Sequence, residues 1–519
     1  MNWRSVKTYL MQNRTVGITG VLLTVLALYG TSDDLMLFAD DYISWATVKS
    51  SLDQPWWHLV TVFYNPEFYR PLDLLLIRAD MAQLGDDPFL YRWATIVGHM
   101  LTVLSVYWFV RRLRFDRAVA LLAGAFFALS HANAMAALSN DAASQVYSTF
   151  CGMMALGFAL RRYPERPLLS WEALISAAWL FVALMWKDAG ISYVPALAVL
   201  LIWELSRAAK RERVARAVTL AAPYVVVLTV YFLMRWHSGA GGPEICGPGR
   251  YGLCPGLNVP KNIMLFLLAM VTPVGSSIIV LRLNSAPFMT AWVASMVAVL
   301  VLLGGGVAIR YRRRVSDRAP LIVLLVLLFV VMTPDVFLNQ VSELYAYKPN
   351  AIFAAIMGAA IVAWIRYLAS RNRRVWLAIL VAFLLVLAWS HGQSIVHKTQ
   401  RIRTGGVWCA KLMNEIRAQL PELPTQRIIV SNRDPGPAPF YSIYYMEGAY
   451  VLGGGKIFEY YYGDKIEEYR FAEWAELDRV LGDLPGKKVI LLYERDHVRV
   501  AVTDGTRNPF SSGETELAP

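Results

Sequence analysis

The sequence predicts a mainly α, polytopic membrane protein with a small α/β domain towards its C-terminal end. Three observations predict it. Of 519 residues, 56% are hydrophobic, and they gather in runs close to the roughly 20 residues that a helix needs to cross a bilayer. Clusters of Lys and Arg recur in alternate connections between those runs, as the positive-inside rule describes. After residue 391 the long apolar runs stop and short strand-like and amphipathic segments begin.

About eleven spans are expected, at 16–30, 91–110, 117–130, 144–160, 171–186, 189–205, 217–235, 288–309, 319–334, 350–367 and 375–391. The connections "RRLRFDR", "RRYPERP", "SRAAKRERVAR", "RYRRRVSDR" and "RYLASRNRR" are densely basic, and the alternate ones are longer with few Lys or Arg. That asymmetry puts the N-terminus and the basic loops in the cytoplasm, and eleven spans then put the tail outside; the expected location is a bacterial inner membrane. The opening stretch imitates a signal peptide but lacks a small-residue cleavage site, so an uncleaved first anchor is expected. Counting "NIMLFLLAMVTPVGSSIIV" (262–280) as a span would put "RYRRR" on the wrong side, so it is expected to be re-entrant or to lie at the interface. The net charge of +12 needs no nucleic-acid partner, because the cations sit in the short loops beside a lipid bilayer.

The expected organisation is a membrane module at 1–391 and an extracytoplasmic α/β domain at 392–519. The module has a first outer loop at 31–90, rich in Trp, Tyr and Pro, and a large outer loop at 237–287. In the tail, "QRIIVSNRD" and "KKVILLYERD" read as strands, and "WCAKLMNEIRAQLPELP" and "FAEWAELDRVLGDL" as amphipathic helices. Cys246 and Cys254 share a Gly/Pro-rich outer loop, where an oxidising compartment would allow a disulfide; Cys151 lies in an apolar run and is expected to pack. No nucleotide-binding glycine fingerprint is present.

Charges at a membrane edge are functional candidates, because burying them is costly. The outward-facing ones are Asp40, Asp41, Arg70, Asp141, Lys187, Asp188, Glu343 and Lys348, drawn from different outer loops. Such a set suits transfer chemistry in which cations hold a phosphate leaving group and a carboxylate takes the proton of an attacking hydroxyl. Each residue has an ordinary structural reading too. Asp40 and Asp41 would cap a helix, Arg70 would snorkel, Lys187 and Asp188 would neutralise one another, and His99 and His131 would simply be buried and hydrogen-bonded.

In their order, "FADDYISW", "FYRPLDLLLIRADMAQLG", "YRWATIVGHMLTVLSVYWFVRRL", "MWKDAGISYVPALAVLLIWEL" and "ELYAYKPNAI" resemble the GT-C membrane glycosyltransferases over roughly residues 1–390. The nearest group is similar to the protein-O-mannosyltransferases and includes the tetratricopeptide-bearing transmembrane mannosyltransferases. The resemblance implies a sugar donor on a polyprenyl phosphate, inverting transfer, and an extracytoplasmic acceptor that is a protein, glycan or lipid. It implies catalysis by Asp40, with Asp41 beside it, and donor-phosphate contacts from Lys187, Tyr345 and Lys348; Arg70, and His237 and Arg250 of the large outer loop, are phosphate-ligand candidates from their own place in the sequence. It also raises a divalent cation, with Asp41 and Asp141 as candidate ligands. Met135 stands where relatives carry Glu, Leu344 where they carry Arg, and Asp188 where they carry Glu. The alternatives are a flippase or transporter of lipid-linked sugars, and a non-catalytic scaffold of envelope assembly.

Overall fold

The computed structural model describes residues 14–32, 34–61, 68–160, 171–206, 213–241, 246, 252–275, 285–313, 318–339, 342–432, 455–463, 465–494 and 497–510. The chain forms two compact units. One comprises Met1–Asp33, Trp56–Leu75 and Leu90–His397, the other Asp34–Pro55, Leu76–Phe89 and Lys398–Pro519.

The helices, in chain order, are α1 (Arg14–Tyr29), α2 (Asp41–Lys49), α3 (Pro71–Leu84), α4 (Phe89–Arg112), α5 (Arg117–Leu129), α6 (Ala134–Leu138), α7 (Ala143–Ala159), α8 (Trp171–Trp186), α9 (Tyr193–Ser206) and α10 (Arg213–His237). They continue as α11 (Asn258–Val271), α12 (Ala286–Arg313), α13 (Arg318–Val331), α14 (Tyr347–Ser370), α15 (Arg374–Gln419), α16 (Lys456–Tyr462) and α17 (Leu477–Asp483). A helix occupies each of the eleven stretches expected to span. Among the described residues seven helices are long and apolar enough to cross a membrane, or eight if the bent pair Arg117–Leu129 and His131–Leu138 is one span. Of the 262–280 segment, α11 is described as a 14-residue apolar helix, and 276–284 lie outside the described residues.

The first unit is built around α14. Its apolar window is 78% buried, against 17% in α1, α10 and α12, so it is a helix packed by other helices on nearly every side. Small residues make that possible, since without a hydrophobic drive in lipid, helices associate by close van der Waals approach. A Cβ on Gly358 would stand 2.6 Å from the carbonyl oxygen of Val119 in α5, and one on Gly306 of α12 would stand 2.5 Å from the carbonyl oxygen of Ala360.

The break between α5 and α6 bends the chain by 55°. Backbone groups freed by such a break need partners when water is scarce. Here Asn133 Nδ2 donates to the Phe127 carbonyl at 2.6 Å, and Asn350 of α14 donates to Asn133 Oδ1 at 2.9 Å. The imidazole of His131 contacts the Thr272 carbonyl at 2.7 Å and stacks on His391 with centroids 5.3 Å apart. His99 contacts the Tyr347 hydroxyl at 2.7 Å. Both histidines therefore have the structural role open to them in the sequence. Cys151 is buried, and Cys246 and Cys254 form a disulfide.

The second unit contains a four-stranded sheet in the order β2-β1-β3-β4, with β1 Arg427–Asn432, β2 Glu468–Glu473, β3 Lys488–Glu494 and β4 His497–Thr503. β1 runs parallel to β2 and β3, and β4 closes antiparallel on β3. The apolar run "VILLY" of β3 is buried throughout, as suits a central strand. The edge strand β4 is met by side chains of α15. Glu415 accepts from Val498 N–H at 3.2 Å, and Gln419 donates to the Val498 carbonyl at 3.0 Å and accepts from Val500 N–H at 3.2 Å. Two residues one helical turn apart thus occupy an edge otherwise open to pairing. The stretch 471–484, expected as a helix throughout, begins as the end of β2 and turns helical at 474, as a 3-10 turn (Trp474–Glu476) that leads into α17. Pairing with β1, which buries Ala472 beside Ile429 and Leu477, overrides the helical propensity of that segment.

Candidate active site

In the first unit the polar groups come from four places. Phe68 to Asp73 cover the start of α3, a turn carries Asp141 ahead of α7, a break follows α8 at Lys187, and residues 335–339 and 342–348 precede and open α14. Each is anchored. Arg92, fully buried in α4, donates to the carbonyls of Ala137 at 2.6 Å and Ser139 at 3.3 Å, fixing the turn in which Asp141 accepts from Ser139 Oγ at 2.6 Å. Asn262 of α11 donates to the carbonyls of Val336 at 3.0 Å and Leu338 at 2.8 Å, and so holds the stretch beginning at Asp335.

Lys187 is 3% exposed. Among the described residues its ammonium makes no hydrogen bond or ion pair; it lies 5.5 Å from the centroid of the Tyr345 ring. Burial first, and then the Arg70 charge, bring its pKa down to about 7, with Asp335 and Asp141 acting in the opposite sense. Buried ammonium groups lose their proton readily unless a negative charge joins them.

Lys348, by contrast, is already satisfied. Its Nζ is 2.9 Å from Asp335 Oδ2 and donates to the Ala189 carbonyl at 2.8 Å and to Ser192 Oγ at 3.3 Å. Asp188 does not pair with its neighbour Lys187. Its Oδ2 meets Arg235 of α10 at 2.7 Å and accepts from Tyr69 N–H at 3.3 Å. The self-neutralising Lys187–Asp188 pair is thus absent.

Arg70 stacks its guanidinium 4.1 Å from the Phe68 ring centroid, just before α3. Three residues on, Asp73 is fully buried; its Oδ1 accepts from the Tyr91 hydroxyl at 2.9 Å, and that hydroxyl accepts from Ala143 N–H at 3.0 Å. Among the described residues Asp73 Oδ2 has no hydrogen-bond partner. Burial raises this carboxyl to about 7, the positive charges of Arg70 and Lys187 and the Tyr91 bond pull it down, and Asp141 pushes it up.

Asp40 and Asp41 belong to the second unit. Asp41 opens α2, is 2% exposed, and accepts from the Phe38 N–H at 2.9 Å. That bond braces the turn ahead of the helix and is not a cap, so the expected capping of the helix by this pair is not what the structure shows. Asp40, at the N-cap position, makes no side-chain cap and is exposed. Ala39, immediately before it, has φ +54°. For a residue with a Cβ that conformation costs roughly 1–2 kcal/mol, and it persists only where the surroundings hold it.

His237 is exposed at the last position of α10, and Arg250 lies outside the described residues. Glu343 and Tyr345 share the 3-10 turn Glu343–Ala346, with Tyr345 buried. Met135 is half-buried in α6. Among the described residues no three His, Cys, Asp or Glu side chains are grouped as a metal ion requires, and the candidate ligands Asp41 and Asp141 belong to different units. Sequence reasoning passed over Asp73, Tyr91, Arg235 and Asp335. Two carried a signal, since Asp73 and Asp335 interrupt apolar runs, "PLDLLLI" and "MTPDVF".

No family model and no curated protein matches the sequence. Solved structures do. The apo form of ArnT from Cupriavidus metallidurans superposes with a TM-score of 0.51 at 12% identity, over 92% of this chain and 93% of that one. The same protein bound to undecaprenyl phosphate gives 0.49 at 12% identity, over 92% and 94%. The apo oligosaccharyltransferase of Archaeoglobus fulgidus gives 0.48 at 13% identity, over 83% of this chain; the alignment spans 63% of that longer protein. At these identities the likeness is one of fold. The shared fold is a polytopic helical bundle with a small C-terminal sheet domain.

Proposed function

We propose that the protein is an inverting glycosyltransferase of the membrane, moving a sugar from a polyprenyl-phosphate donor to an extracytoplasmic protein, glycan or lipid. One observation carries the reading: a buried ammonium, Lys187, without an acceptor among the described residues. A fixed cation left unpaired in a dry setting gains most when an anion completes it. A lipid-borne phosphate meets that need in a chain with so many apolar helices, and the ArnT of similar fold has been solved with undecaprenyl phosphate bound.

In this reading Lys187 and Arg70 hold the donor phosphate, and Tyr345 flanks Lys187. Lys348 acts at one remove, fixing the segments of Asp335 and Ala189 around it. The acceptor hydroxyl attacks the anomeric carbon from the face opposite the phosphate, and Asp40 takes its proton. The bond between the anomeric carbon and the phosphate oxygen breaks with its electron pair going to that oxygen, where the cations stabilise the charge. Asp40 is preferred over Asp41 because it is exposed, whereas Asp41 is 2% exposed.

Asp40→Asn retains the size of the side chain and loses its basicity. Reintroduced into a deletion strain, it is expected to leave the envelope glycan or glycoprotein short of one defined sugar by mass spectrometry, with transfer down by at least about a hundredfold. Normal product from a folded Asp40→Asn protein would remove the base assignment. Movement of the lipid-linked sugar across the membrane without glycoside formation would favour the transporter reading.

A further inference from the structure

The helix that follows Asp40 is held by the tail. α2 has nine residues, below the length at which an isolated helix is stable in water, and the Ala39 backbone ahead of it is strained. Packing must fix both, and within the second unit α16 supplies it.

The Tyr42 ring, in the first turn of α2, meets the Tyr460 ring edge-on at 5.4 Å and the Tyr461 ring at 6.2 Å. At the far end of α2, the Lys49 ammonium lies 3.9 Å from the centroid of that same Tyr460 ring. Both ends of α2 therefore rest on one aromatic ring. The ring is fixed in turn, because the Tyr460 hydroxyl donates to Asp86 Oδ1 at 2.5 Å and Lys49 reaches the same oxygen at 3.3 Å. The Tyr42 hydroxyl lies 3.9 Å from Cys409 Sγ of α15, which ties the start of α2 to a second tail element.

We propose that Tyr460 is a positioning residue for the transfer reaction, orienting α2 and with it the carboxylate of Asp40. It acts through the helix. The inference rests on Asp40 being the base, and it gives the C-terminal domain a catalytic duty: the domain sets the base. Small displacements of a reacting group cost rate far more than binding, up to about a hundredfold for 1 Å.

The test measures two quantities on the full chain. One is the initial transfer rate in membrane vesicles with native donor and acceptor pools, normalised to folded protein. The other is binding of undecaprenyl phosphate to the purified protein, which reports on the first unit. Tyr460→Ala is expected to lower the rate by about tenfold or more while leaving the affinity for undecaprenyl phosphate within about twofold. Tyr460→Phe keeps the ring under Lys49 and beside Tyr42, so it is expected to restore the rate to within about threefold. A wild-type rate in Tyr460→Ala overturns the proposal, as does a parallel loss of rate and lipid binding, which would mark Tyr460 as general core. If Tyr460→Ala does not accumulate, Lys49→Met with Asp86→Asn, both partly exposed, carries the test. A three- to tenfold loss of rate, roughly, is then expected, and an unchanged rate overturns the proposal. Asp40→Asn, assayed alongside, reports separately on the base assignment.

Discussion

Lys187 and Asp73 hold opposite charges in the same first unit, and burial moves both towards a pKa of about 7, one down and one up. The signs reinforce each other for an anionic ligand. As pH rises through 7, Lys187 loses positive charge and Asp73 gains negative charge, and each change disfavours a phosphate. The second ionisation of a phosphate monoester, near 6, is largely complete before that range. The affinity for undecaprenyl phosphate is therefore expected to fall about tenfold or more between pH 6.5 and 8.5, as read by binding in detergent or nanodiscs. Asp73→Asn keeps a partner for the Tyr91 hydroxyl and removes one titration, so its profile is expected to be shallower, with tighter binding at pH 8.5. A profile as steep as wild type would deny Asp73 this influence. Lys187→Met is expected to weaken binding by about tenfold or more at pH 6.5.

Among the elements, α14 sets the spacing of the first unit through residues that have almost no side chain. Three consecutive glycines in α12 provide a built-in control. A Cβ at Gly306 meets Ala360 backbone at 2.5 Å, one at Gly305 meets the Trp364 ring at 2.6 Å, and one at Gly304 meets nothing within 4 Å. Gly306→Val is expected to destabilise the protein by about 1–3 kcal/mol or more, seen as a lower melting temperature in detergent, while Gly304→Val changes it little. Equal effects at 304 and 306 would mean that α12 and α14 do not make this close contact. The glycines were visible in "LLGGGVAI", but one-dimensional periodicity does not say which face a neighbouring helix takes. Likewise the family resemblance singled out Asp40, but only the structure shows that Asp41, next to it and just after the αL residue Ala39, turns its carboxylate to the Phe38 N–H.

For the whole molecule, the alternation of basic and poorly charged connections gives a sidedness that labelling can read. The two free cysteines, Cys151 and Cys409, are buried, and Cys246 is paired with Cys254, so an introduced thiol stands out. Asp53→Cys in the first outer loop is expected to react with a membrane-impermeant maleimide in intact cells. Arg371→Cys, exposed between α14 and α15, is expected to react only after permeabilisation. The reverse pattern would invert the topology and leave Asp40 on the cytoplasmic side, without its acceptor.

Hydropathy and charge alternation determined the eleven helical stretches, because a bilayer punishes any unpaired backbone group and so imposes long apolar helices on the sequence itself. The strands "RIIVSN" and "KVILLYE" were legible for the same local reason, their run of β-branched and aliphatic residues. Tertiary structure alone decided that Asp188 pairs with Arg235 47 residues away and Lys348 with Asp335, so that Lys187, among the described residues, has no ion-pair partner. It alone decided that a tail helix grips α2. Which charges cancel depends on distances between segments far apart in the chain, and Coulomb energy in a dry interior follows those distances rather than the order of residues.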